Sequence, residues 1–244
     1  MKKVSLLTLA LSMTAAGVAT AQAPVSNPCP CPKAFQGFFL GANLGYGSGS
    51  VKSSATQTLP TPTSKIQSSN IGVLGVDGGL NVGYTHRLNN FGLGIEGVFN
   101  WAGSNGKIYS PASGIEFKTR LQNTIQIRAN LSYVICNLVA PKIFLGWDTS
   151  EWNNTTIFNA GNVAGNTSPL KSTSNKTRFN GLAYGAGVDF LLAKHVIAGL
   201  EWSGVSAASK SYNASGLLQG TQTTYSVSNR PTYNKFAVTV KFIY

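Results

Sequence analysis

Residues 122–135 read QNTIQIRANLSYVI, with apolar residues recurring at odd positions. Ile125, Ile127, Ala129, Leu131, Tyr133 and Ile135 stand against Gln122, Thr124, Gln126, Arg128, Asn130 and Ser132. Successive side chains of a β-strand point to opposite faces, so this stretch is a ribbon with one greasy and one polar side. The same grammar runs outward in both directions. Phe91, Leu93, Ile95, Phe99 and Trp101 oppose Glu96 and Asn100; Leu80, Val82 and Tyr84 oppose Asp77, Asn81 and Thr85. Residues 38–46 put large apolar side chains at even positions, with Phe39 the one large exception on the other face. Further segments lie at 143–147, 182–190, 196–202 and 236–244, which makes eight in all.

The connections turn eight strands into a topology. Asn89-Asn90, the Asn137 to Pro141 region and Leu192 to Lys194 are short turns, whereas 48–70, 103–120, 149–177 and 205–232 are long and rich in Ser, Thr, Asn and Gly. Transmembrane barrels have short periplasmic turns and longer external loops. The expectation is an all-β, eight-stranded, up-and-down antiparallel transmembrane barrel with both termini in the periplasm. Aromatic residues favour the same orientation. Tyr46, Trp101, Trp147 and Trp202 fall at the loop ends of the greasy faces, and Tyr84 and Tyr133 at the turn ends, as girdles at the two lipid–water boundaries would. A soluble barrel holding a ligand is the rival, since alternation alone does not say which face is inside. The small and charged set Gly181, Ala183, Gly185, Gly187 and Asp189 suits a cramped lumen instead.

The first residues place the chain in the export route. Lys2 and Lys3 precede an apolar run from Val4 to about Val18, and Ala19-Thr20-Ala21 offers small residues for cleavage before Gln22. Residues 1–21 are therefore expected to be a signal peptide, 22–34 a Pro/Cys-rich periplasmic segment, and 35–244 the barrel, with the bacterial outer membrane as destination. Export leaves the formal charge of +12 no nucleic-acid partner, and no basic helix is present to bind one.

Charges on the small-residue face would lie in the lumen. Glu96, Arg128, Asp148, Glu201 and Lys241, with Lys142 and Asp189 beside them, form a candidate ionic network in which Arg128 lies between Glu96 on the third strand and Asp148 on the fifth. Pairing is expected because isolated charges there are costly. The network would be either a plug or the gate of a conduction path. Cys29, Cys31 and Cys136 are expected on one side of the membrane. One of the pair bonded to Cys136, a Cys29–Cys31 loop and an intermolecular bond all remain open.

The loops carry Lys52, Lys65, Lys107, Lys118, Arg120, Lys171, Lys176, Arg178, Lys210 and Arg230 against only Glu116 and Glu151. Such a rim attracts phosphate and sulfate. Neighbouring lipopolysaccharide is the favoured partner, with acidic host glycans the alternative. An enzyme is not expected: the two histidines, His86 and His195, both fall at short turns without a serine nucleophile beside them. Neither a metal site nor any cofactor is expected.

The stretches GFFLGANLGYG (37–47), GLAYGAGVDFLLAKHVIAGLEW (181–202) and KFAVTVKFIY (235–244) resemble the OmpA-like and opacity-type family of small outer-membrane β-barrels. The resemblance covers residues 35–244. It implies that Phe236, Val238, Val240, Phe242 and Tyr244 form the C-terminal signal read by the barrel-assembly machinery. The expected function is that of a monomer with a structural or surface-interaction role, as adhesin or in envelope integrity; the alternative, which the resemblance also implies, is a narrow porin.

Overall fold

Period-two alternation persists far beyond the greasy segments in the computed structural model, which describes residues 34–58, 64–110, 115–158, 171–218 and 221–244. The strands are β1 (Gly37–Thr58), β2 (Ser64–Leu88), β3 (Phe91–Ala102), β4 (Asn105–Ser110), β5 (Ile115–Tyr133), β6 (Val139–Phe158), β7 (Lys171–Ala193), β8 (Val196–Ala207), β9 (Lys210–Leu218) and β10 (Thr221–Ile243). β3 and β4 are interrupted only at Gly103 and Ser104, and β8 and β9 only at Ala208 and Ser209. Each of these two couples is one stave, so the antiparallel ring has eight staves, closed where β1 pairs with both β2 and β10. The expected signal peptide, the 22–33 segment, Cys29 and Cys31 lie outside the described residues.

The lower part of the barrel is inverted relative to a water-soluble protein. Phe38, Leu40, Leu44 and Tyr46 of β1 point outward, while Phe39 and Asn43 between them are buried. On β10, Phe236 is 69% exposed and Val238, Val240 and Phe242 are exposed with it, whereas Lys235, Thr239 and Lys241 face in and are buried. Soluble monomers rarely expose contiguous apolar patches above a few hundred Å². A continuous apolar outer wall around charged interior groups is the arrangement that lipid stabilises and water does not.

The strands reach well into what the sequence reads as loops. β1 continues to Thr58, β2 begins at Ser64, β6 ends at Phe158 and β7 begins at Lys171, so 48–58, 64–70, 149–158, 171–177 and much of 103–120 and 205–232 are strand. The physical reason is a change of polarity part-way up the wall. Above Tyr46 the outward positions of β1 are Ser48, Ser50 and Lys52, and the inward ones run from glycine to Val51. Val51, Ile71, Val73, Phe117, Leu121, Trp152, Phe179 and Tyr233 meet inside as an apolar core. The upper barrel is thus built like a soluble one, and its apolar signal, a few large residues on the inner face, is too sparse to read as alternation.

Two turns also sit elsewhere than the composition suggests. The second runs through 134–138, with Cys136 and Asn137 at positive φ, and Pro141 is already inside β6. Val139 donates its backbone N–H to Ile135 across that turn. Pro141, two residues on, faces the same way, beyond the last β5–β6 pair Ser132↔Lys142, so its missing N–H costs no ladder bond. The third turn is Lys194 and His195 alone.

Candidate functional site

The lumen is stacked in layers, each set by what the inward positions of the staves carry. At the short-turn end Phe35, Phe39, Val134, Ala140, Ile197 and Ile243 form an apolar base. Phe35 adopts a φ of 65°, which turns the chain entering β1 into the barrel mouth. Arg87 fixes that entry by donating from Nη1 to the Ala34 carbonyl at 3.1 Å and to Asn137 Oδ1 at 2.5 Å.

Above the base lie the ionised groups. Arg128 Nη1 meets Glu201 Oε1 at 2.5 Å across the lumen. Lys142 reaches Asp189 at 3.1 Å and Glu201 at 3.3 Å; Lys241 reaches Asp189 at 3.3 Å and Glu96 at 3.6 Å. Three cations thus balance three anions drawn from six staves, and all six side chains are buried. Asn81 and Asn130 donate further hydrogen bonds to Glu96, at 2.8 and 3.1 Å. Two aromatic rings lie flat inside the wall beneath this charge. The Arg128 guanidinium sits 4.2 Å above the Phe144 ring, and Lys241 Nζ 4.8 Å above that of Phe39. Phe144 and Phe39 occupy the space that a Cβ at Gly185 or Gly83 would need, so glycine at those positions is what lets each ring lie against the wall.

The placement of the sequence-predicted residues is uneven. Glu96, Arg128, Glu201 and Lys241 come together with Lys142 and Asp189, but Arg128 pairs across the lumen with Glu201 rather than with its strand neighbours. Asp148 stands apart, which corrects the expected Glu96–Arg128–Asp148 row. It lies opposite Gln126 in the β5–β6 register, accepts a hydrogen bond from Gln126 Nε2 at 2.7 Å and makes no ion pair. Gln126 Oε1 in turn accepts from Arg128 Nε at 2.8 Å, so the amide bridges the two charges.

A second polar layer above the ion pairs escaped the sequence reading. Lys235 Nζ donates to Asn43 Oδ1 at 2.7 Å and to Asn100 Oδ1 at 3.0 Å, and the Tyr233 hydroxyl donates to Asp77 and lies 3.2 Å from the Ser104 hydroxyl. The signal was present, since Lys235 and Asp77 both hold polar-face positions. What alternation does not tell is which staves meet across the lumen. The apolar core of Trp152, Phe179 and Leu121 closes the stack from above. Voids of about 30 Å³ beneath the ion pairs and about 10 Å³ above them separate these layers, room for roughly two waters and one.

On the outer wall Tyr46, Trp101 and Trp147 are exposed and Trp202 half-exposed at one height, with Tyr84 and Tyr133 at the other. Phe38 packs 4.7 Å from Tyr84, Phe91 5.2 Å from Tyr133 and Tyr184 5.9 Å from Trp202, centroid to centroid. Phe236, Val238, Val240 and Phe242 point outward, and the Tyr244 backbone N–H bonds the Phe38 carbonyl at 2.9 Å. Cys136 is exposed at the second turn. His86 and His195 are exposed at the short-turn end, with His195 Nδ1 2.9 Å from the Ile243 carbonyl.

Solved structures share this architecture. Outer membrane protein OprG from Pseudomonas aeruginosa superposes with a TM-score of 0.54 at 13% identity, over 88% of this chain and 100% of its own. Neisserial surface protein A aligns with a TM-score of 0.39 at 14% identity, over 85% of this chain and 97% of its own. The attachment invasion locus protein of Yersinia pestis gives 0.33 at 15% identity, over 83% and 99%. No curated protein sequence matches the chain. The family model described as outer membrane protein beta-barrel domain matches residues 7–240. That match spans nearly the whole chain and agrees with the closed antiparallel ring, and the chain belongs to the outer membrane protein β-barrel domain family.

Proposed function

We propose that the protein is a closed, monomeric scaffold of the bacterial outer membrane, with a structural or surface-interaction role and no enzymatic one. The observation that carries this reading is the filled lumen. A neutral cluster of three cations and three anions lies between two apolar layers, and the voids beside it hold on the order of one or two waters each. An ion entering from either end would have to shed its hydration shell against Trp152 and Phe179 or against Phe35 and Phe39, which an unpaired charge does at a cost of several kcal/mol or more. In this reading the short-turn end faces the periplasm, and the tall end, polar on its outer wall, stands outside the cell. The C-terminal residues Phe236, Val238, Val240, Phe242 and Tyr244 present the assembly signal on the lipid face.

A narrow porin is the contrary reading, and planar-bilayer recording of the refolded protein separates the two. The wild type is expected to be silent. Arg128→Glu, which places four carboxylates around two lysines, is expected to destabilise the barrel without opening steady channels, because the apolar layers remain. Stable unitary currents from the wild type would establish the porin instead.

A further inference from the structure

The outer wall where β1 meets β10 carries an ordered ladder of chemistry. Its outward rungs are Leu44↔Val238, Tyr46↔Phe236, Ser48↔Asn234, Ser50↔Thr232 and Lys52↔Arg230, in that order up the barrel. The first two rungs border an apolar depression of about 600 Å³, which Leu200 and Trp202 of β8 complete. The next two offer hydroxyl and amide groups. The last sets two exposed cations directly opposite one another.

Like charges facing each other on an antiparallel pair repel and are disfavoured unless something neutralises them. The chain has nothing left to do so. Of its seven acids, Asp77, Glu96, Asp148, Asp189 and Glu201 are buried in the lumen. The other two are engaged, Glu116 with Lys118 at 3.5 Å and Glu151 with Arg178 at 3.3 Å. A second like-charge rung, Lys107↔Lys118, has Glu116 as its counter-ion; among the described residues Lys52 and Arg230 have none. The anion between them must come from outside the chain.

Position identifies it. Lys52 and Arg230 stand six residues beyond the girdle residues Tyr46 and Phe236, roughly 15 Å above the apolar band at about 3.3 Å per residue and a tilt near 40°. Their side chains leave the wall radially, toward molecules embedded beside the barrel rather than toward a ligand approaching along its axis. We propose that this face is a binding strip for an anionic glycolipid of the outer leaflet. Acyl chains fill the Leu44–Phe236–Trp202 depression, sugar hydroxyls meet Ser48, Ser50, Thr232 and Asn234, and a phosphate or carboxylate of the core sugars is held between Lys52 and Arg230. The inference rests on the reading that the tall end is external.

The test is the affinity of the refolded full chain for rough lipopolysaccharide bearing a phosphorylated core, and for lipid A without core sugars. Lys52→Gln/Arg230→Gln is expected to weaken core-bearing lipopolysaccharide on the order of tenfold or more, as loss of charge-assisted contacts does, and to leave lipid A unchanged. The exchanged pair Lys52→Arg/Arg230→Lys is expected to restore binding, and Lys194→Gln at the opposite end to have no effect. Raising the salt should weaken the wild type toward the double variant. Equal affinity of wild type and double variant for the core-bearing lipid would overturn the proposal, as would wild-type binding of a soluble sulfated polysaccharide as tight as that of the lipid. Labelling Lys52→Cys on intact cells with an impermeant maleimide separates the two levels. Absence of labelling overturns the external reading and the strip with it, whereas labelling with equal affinities overturns the strip alone.

Discussion

At Arg128 the chemistry of the interior is most concentrated. Its guanidinium bonds Glu201 and the Gln126 amide and covers the Phe144 ring. Removing one partner of a buried pair leaves the other uncompensated, at about 3–5 kcal/mol. Glu201→Ala is therefore expected to lower the unfolding free energy of the refolded barrel by that amount, read from urea titration, and Glu201→Ala/Arg128→Met to recover part of it. An additive double variant would show that the two charges do not depend on each other. Glycine at 185 is equally constrained: Gly185→Val drives its side chain into the Phe144 ring and the Trp202 carbonyl and is expected to abolish heat-modifiable folding, while Ala186→Val, facing outward, should not. We further propose that Cys29 or Cys31 bonds Cys136. Arg87 holds Ala34 and Asn137 to one nitrogen, which brings the chain just after Cys31 to the turn that carries Cys136. Non-reducing mass spectrometry of the mature protein should show one intramolecular disulfide that includes Cys136; three thiols would end the idea.

Individual strands show what the sequence makes legible and what it hides. The lipid-facing half of β5 is plain because lipid tolerates only apolar residues on one face, so Ile125, Ile127, Leu131 and Tyr133 recur without a break. Its upper half, beyond the register shift at Leu121/Asn123, is hidden because water accepts Arg120, Lys118 and Glu116 outside, and the narrow lumen needs only Leu121 and Phe117 within. The charged positions of the ionic cluster were legible one strand at a time, and Phe39 stood out as an inward aromatic. Their partners were not, since Arg128 and Glu201 sit on staves that share no edge. If the upper staves are strands with a core of their own, Trp152→Ala should cost about 3–5 kcal/mol although it touches no lipid. Amides of β6 from Trp152 to Asn154 should exchange as slowly as those of the membrane band, and exchange at loop rates would contradict the extended staves.

The molecule as a whole is one wall with two solvents outside it. Below the Tyr46–Trp101–Trp147–Trp202 level the outer wall is apolar and the filling carries the ion pairs above an apolar base; above it the outer wall is polar and the filling holds an apolar core. That exchange makes the outer face of the lower half the part on which everything else depends. The four tryptophans report on it directly, because Trp101, Trp147 and Trp202 face out and Trp152 faces in. The decisive measurement is fluorescence quenching by lipids brominated near the top of their acyl chains, on single-tryptophan variants refolded in vesicles. Trp101, Trp147 and Trp202 are expected to be strongly quenched and Trp152 to stay bright; an unquenched Trp101 and Trp147 would mean that lipid does not touch this wall.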